Sequence, residues 1–143
     1  MYEHLPKKIV YLRHPQCLHN IAYQEAMDQG IPNKQSPLTP LGEQQRDITA
    51  AYLKKEFGGF DAVFSSTFIR THTIPAAAGW LPQMYSLLDE RSNGVWHHMP
   101  RSAVLEKYPD EEIRSKTLGY YQYRAPEGES CPDVELRDRK SVV

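Results

Sequence analysis

Ile9, Val10, Tyr11 and Leu12 form a short, almost unbroken apolar run that gives way at once to Arg13-His14-Pro15-Gln16. Continuity of this kind suits a strand covered on both faces, as in a parallel sheet, and predicts a strand over Lys8 to Leu12. Asp61 to Ser65 repeats the pattern, and Met84 to Leu88 is a third segment of strand character. Helical stretches lie between and after them. Leu18, Ile21, Ala22 and Ala26 recur at helical spacing until Gly30 and Pro32 stop them. Thr39-Pro40 opens a second helix, since Thr caps free amides and Pro has no N–H to lose. Its expected buried stripe is Leu41, Ile48, Ala51 and Tyr52, and Gly58-Gly59 ends it. A further helical pattern starts near Thr67 and is interrupted at Pro75. Arg101 to Tyr108, Asp110 to Thr117 and Asp133 to Lys140, the last following Pro132, are helical as well.

Strand, helix, helix, strand, helix, strand is the order of a layered α/β domain with a mostly parallel sheet. At 143 residues the chain is one domain, 1–143, able to hide roughly two-thirds of its unfolded surface without disulfides. Its apolar runs are far too short for a membrane span, and MYEHLPKK has no secretory character. Seventeen Lys and Arg against 18 Asp and Glu leave a charge of −1, so no summed field attracts nucleic acid or anionic lipid. Cys17 and Cys131 form no CxxC pair and read as free thiols in a reducing, cytoplasmic setting.

Ligands of open α/β sheets sit at the carboxyl ends of the strands. Arg13, His14 and Asn20 follow the first apolar run, Ser65, Ser66 and Arg70 end or follow the second, and Glu90 and Arg91 follow the third. Each alone fits an ordinary structural or surface role. Their concurrence at one sheet edge is what points to a site.

Five segments then match a known pattern in order. They are Arg13-His14 with Asn20 six positions on, Leu38-Thr39-Pro40-Leu41-Gly42-Glu43-Gln44-Gln45, Ser65-Ser66-Thr67-Phe68-Ile69-Arg70, Glu90-Arg91-Ser92-Asn93-Gly94, and Gly128 to Arg137. Together they resemble the histidine phosphatase superfamily, the phosphoglycerate mutase-like family. The resemblance implies a three-layer α/β sandwich and a phosphomonoester hydrolase working through a phosphohistidine on His14. It implies Glu90 as general acid and base, and Arg13, Asn20 and Arg70 as phosphate ligands. Two guanidiniums suit that task because their planar forks grip phosphate oxygens bidentately. No metal or cofactor is implied, and the partner is a small phosphorylated substrate or inorganic phosphate.

The chain departs from the pattern at Pro15, where the family has Gly, at Gln16, where it has an acid, and at Thr73, one residue before the expected Thr. It also carries no later apolar strand followed by His-Gly, the family's second catalytic histidine. The reading is of a domain shortened at its C-terminus, lacking its C-terminal strand or strands. Turnover would be impaired, and an exposed apolar edge would favour self-association into a homo-oligomer. A non-catalytic phospholigand-binding or regulatory domain is the alternative. A mutase lacks support, since there is no long insertion after Glu90. The residues from Gly94 to Tyr123, with Trp96, Tyr120, Tyr121 and Tyr123, are expected to cover the site or to serve as ordinary aromatics. A metal site from Cys17, His19, His97 and His98 lacks the spacing of zinc clusters.

Overall fold

The structure is a computed structural model that describes residues 6–141; residues 1–5, part of the stretch read above as lacking a secretory signal, lie outside it. Its regular elements are helices α1 (Leu18–Ile21), α2 (Tyr23–Asp28), α3 (Pro40–Phe57), α4 (Ile69–Ala77), α5 (Arg101–Lys107), α6 (Glu111–Gln122) and α7 (Cys131–Ser141), with strands β1 (Phe64–Ser65) and β2 (Gln83–Met84). Single 3₁₀ turns lie at Asn33–Gln35, Ser86–Leu88 and Gly94–His97.

β1 and β2 pair in parallel, Phe64 opposite Gln83 and Ser65 opposite Met84. The Gln83 amide donates to the Val63 carbonyl at 2.8 Å and the Tyr85 amide to the Ser65 carbonyl at 2.9 Å. α4 is the crossover that a parallel pair requires. The fold is therefore mixed α/β with a small parallel sheet, the class that the element order implied.

α3 begins where its sequence says it should. Thr39 Oγ1 accepts from the Gly42 amide at 3.0 Å, Pro40 takes the first helical position, and Gly58 ends the helix at φ +70°. The buried stripe differs from expectation. Leu41, Ile48, Ala51 and Tyr52 are left largely uncovered, whereas Ala50 and Leu53 pack with Ile74 and Ala78 of α4. Apolar side chains lie on more than one face of α3, and the face that is covered is the one that meets α4 and the residue after it. Val10, Phe57 and Trp80 close the cluster, and Phe60 stands edge-on to Trp80 with ring centroids 5.1 Å apart.

Three other expectations are corrected. Lys8 to Leu12 pairs with no strand among the described residues, and Ile9, Tyr11 and Leu12 are 59%, 88% and 49% exposed. Apolar continuity states what a segment could bury, not whether a covering layer meets it. Here only Val10 reaches the core. The third strand is confined to Gln83–Met84, and the chain turns through Ser86–Leu88. The first helical pattern splits at Ala22, whose φ of −142° and ψ of 55° lie outside the helical region.

Candidate functional site

His14 sits just past the unpaired apolar run, half-buried. Its Nδ1 lies 2.6 Å from the Pro15 carbonyl oxygen. A carbonyl only accepts, so Nδ1 carries the proton and Nε2 keeps its lone pair. Pro15, which lacks a backbone donor, thus supplies the acceptor that fixes the tautomer. Burial pushes the His14 pKa below 6.5, as do the Arg70 and Arg13 guanidiniums, against the raising effect of the Pro15 bond and of Glu90. The imidazole is neutral near pH 7, with both arginines and Glu90 inside its electrostatic range.

The motif around Thr39 straps the segment after His14 in place. The Gln16 amide donates to Gln45 Oε1 at 2.9 Å, Thr39 Oγ1 donates to Gln16 Oε1 at 2.8 Å, and the Thr39 amide donates to the Gln16 carbonyl at 3.2 Å. Gly42 completes the strap by being small. A Cβ there would come within 1.9 Å of the Gln16 carbonyl oxygen. Asn20 turns its Oδ1 back to the Cys17 amide at 2.9 Å, which caps α1, and its Nδ2 has no partner among the described residues.

Arg70 stands in the first turn of α4 and is 3% exposed. Its Nη1 donates to the Asn33 carbonyl at 2.7 Å and to Asn33 Oδ1 at 3.2 Å, and its guanidinium lies over the Phe68 ring. Nη2 is 2.6 Å from Glu90 Oε2, while the buried Nε has no partner among the described residues. Arg70 and Glu90, read from separate motifs, are therefore brought into direct contact. Glu90 remains 59% exposed and open to an incoming group. Arg13 is exposed, and its charge reaches His14.

Behind Glu90, Asp89 accepts from the Thr67 amide at 2.7 Å and from the Ser66 and Thr67 hydroxyls, and pairs with Lys34 at 3.2 Å. Burial opposes ionisation of Asp89, but those donors outweigh it and hold the pKa below 3.8. The last motif is a latch. Arg137 donates to Glu129 at 2.8 Å, to the Leu87 carbonyl at 2.5 Å and to the Asp89 carbonyl, while Glu129 receives the Ser92 amide at 2.9 Å. α7 starts earlier than expected, at Cys131, because Ser130 and Asp133 cap it reciprocally.

Two nearby residues, Asn33 and Asp89, carried no signal in the sequence, and two more, His19 and His97, were weighed there only as metal ligands. Asn33 sits in a turn outside the five motifs, and Asp89 is marked only by its neighbour Glu90. The His19 ring is buried, and its pKa is lowered by burial and by Arg70. Of the aromatic residues expected above the site, Trp96 Nε1 donates to Tyr123 Oη at 2.8 Å. Tyr120 instead lies beneath Arg91, and Tyr121 bonds Glu135 of α7.

A family model, the histidine phosphatase superfamily (branch 1), matches residues 9–142. The 6-phosphofructo-2-kinase/fructose-2,6-bisphosphatase of Gallus gallus is 27% identical over 138 residues, 96% of this chain and 28% of the relative. Fructose-2,6-bisphosphatase of Saccharomyces cerevisiae is 29% identical over 136 residues, 92% of this chain and 28% of the relative. The chain thus spans little more than a quarter of the curated relatives it matches. Among solved structures, a phosphoglycerate mutase from Thermus thermophilus aligns at TM-score 0.58 and 23% identity, over 91% of this chain and 67% of that one. A mycobacterial glucosyl-3-phosphoglycerate phosphatase in complex with inorganic phosphate aligns at TM-score 0.61 and 21% identity, over 92% and 58%. These two likenesses establish the fold.

Proposed function

The chain belongs to the histidine phosphatase superfamily, and from that premise we propose that it hydrolyses a phosphomonoester through a phosphohistidine on His14. The observation that carries this reading is the His14 Nδ1 bond to the Pro15 carbonyl, which leaves the Nε2 lone pair available within electrostatic range of two arginines. In the first step Nε2 forms the bond to phosphorus. The ester P–O bond breaks, its electron pair goes to the alcohol oxygen, and Glu90 supplies the proton that oxygen takes. In the second step water attacks phosphorus, the N–P pair returns to Nε2, and Glu90 takes the water's proton. Glu90 and His14 end as they began, and the products are alcohol and phosphate.

Arg13, Arg70 and the free Nδ2 of Asn20 hold the phosphoryl oxygens. Charge neutralisation and positioning are most of what this transfer asks of a protein. Arg70 already shares Nη2 with Glu90, so a bound phosphoryl group and the acid meet on one guanidinium. The substrate is a small phosphorylated molecule, and residues 1–143 act as one domain. Among the described residues no helix is long and apolar enough to cross a membrane. Cys17 and Cys131 are unbridged, which suits a cytoplasmic setting.

A second reading, a non-catalytic phospholigand-binding or regulatory domain, is favoured by the Arg70–Glu90 pair, which occupies both groups with each other. One experiment separates the two. Phosphatase activity of the wild type is compared with His14→Ala, and acid-labile phosphate on His14 is measured after brief exposure to substrate. The expected result is a loss of at least about a thousandfold and a labelled histidine. Equal activity in both proteins removes His14 from the mechanism. Phosphate binding without label selects the binding domain. Because the His14 pKa is lowered, kcat/KM should fall on the acid side only below 6.5.

A further inference from the structure

Beside the phosphate site lies a cavity of about 90 Å³ lined by Met27, Gly30, Ile31, Pro32, His97 and His98. That is room for about three water molecules, or for a single six-membered ring. Its place is fixed from both sides. Pro32 directly precedes Asn33, which holds Arg70, and the His97 ring lies in the electrostatic field of Glu90 and Arg70.

The turn that carries His97 is held in place. Tyr23 Oη donates to the Trp96 carbonyl at 2.7 Å, Trp96 Nε1 donates to Tyr123, and Tyr123 Oη donates to Glu111 at 2.7 Å. His97 is oriented by Asn93, whose amide donates to Nδ1 at 3.3 Å. Burial is the main influence lowering the His97 pKa below 6.5, so its ring is neutral near pH 7.

The lining residues offer no ammonium or guanidinium to a second anion. Lys34, two residues beyond the lining Pro32, pairs with Asp89. Glu90, exposed and within electrostatic range of the lining His97, adds no cation either. Resting on the hydrolase reading above, we infer that the alcohol part of the substrate is uncharged and carries a ring or comparable apolar surface, and bears neither a second phosphate nor a carboxylate. Its apolar face lies against Ile31, Met27 and Pro32, and its polar edge meets the imidazoles.

Binding can be measured without turnover. Calorimetry on the full chain compares phenylphosphonate, inorganic phosphate and propylene-1,3-bisphosphonate, and parallel assays compare phenyl phosphate with fructose 2,6-bisphosphate in wild type and His14→Ala. Phenylphosphonate should bind about tenfold more tightly than phosphate and more tightly than the bisphosphonate. Ile31→Lys, which changes neither His14 nor the arginines, should reverse the order of the two phosphonates. A wild type that prefers the bisphosphonate overturns the inference, even where His14-dependent turnover persists and the hydrolase reading stands. The expected binding order without His14-dependent turnover of either ester upholds the uncharged pocket and removes the hydrolase. Equal binding of phenylphosphonate and phosphate, or no binding at all, also overturns the inference.

Discussion

The segment after His14 and the segment around Glu90 carry the two halves of the proposed chemistry, yet they are anchored by different physics. Gln16 is tied to the start of α3 by Thr39, Gln45 and the bare backbone of Gly42, all uncharged groups. Asp89 and Ser92, on either side of Glu90, are tied by Arg137, Glu129, Lys34 and the Ser66 and Thr67 hydroxyls, a network built on charge. A neutral strap depends on shape and is blind to salt. A charged latch depends on protonation state, so the two halves should fail under different conditions.

The largest effect is expected at the strap. Gly42→Ala drives a methyl into the Gln16 carbonyl, which cannot move without moving His14. It should cost about 3 kcal/mol in chemical denaturation, together with most of the phosphatase activity. A cost that changed with ionic strength would contradict the contrast.

Next is Arg137→Ala, which strands Glu129 and two backbone carbonyls. Both side chains of that ion pair keep some solvent access, so about 2 kcal/mol is expected, shrinking in high salt. Retained stability with the Ser92 amide still protected from hydrogen exchange would show that the latch does not hold the Glu90 segment.

Acidification should separate the halves in one experiment. The folded pKa values of His14 and His19 are lowered, so their contribution is complete above 6.5 and is lost as pH falls below it. Glu129 is opposed in ionising by burial, but Arg137 and Ser92 hold its pKa below 4.5, and Asp89 is held below 3.8. Their contribution survives the first loss and disappears only at lower pH. Stability curves against pH should show two declines, and Arg137→Ala should remove part of the second alone.

The smallest effects test the apolar run before His14. Val10→Ala should cost about 1 kcal/mol, because Val10 touches the α3–α4 cluster. Leu12→Ser, two residues on and exposed, should stay within about 0.5 kcal/mol. Equal costs would restore the sequence's expectation of a run buried throughout.

That run shows where sequence reasoning ends. Local chemistry was legible: Thr39-Pro40 and Gly58 bound α3, and two separate motifs supplied Arg70 and Glu90, which meet at 2.6 Å. Burial on a particular face was not, because Leu41, Ile48 and Tyr52 are as apolar as the residues actually covered. The choice lay with α4, a partner that no pattern within α3 describes. Pro75 likewise promised an interruption, but α4 runs through it, and the Trp80 amide bonds the Pro75 carbonyl at 2.9 Å. Asn33 and Asp89 were invisible for a similar reason. Their roles come from distances across the fold, and one side chain in a turn carries no mark of what it will face.

Because Gly42 leaves no slack between α3 and Gln16, the helix and the loop bearing His14 form a single mechanical piece. The 18-residue α3 is the long arm of a lever and the imidazole is the tip of the short one. A small tilt imposed far along the helix, near Lys54, would re-aim Nε2. In the proposed reaction the far end of α3 is therefore a handle on the rate.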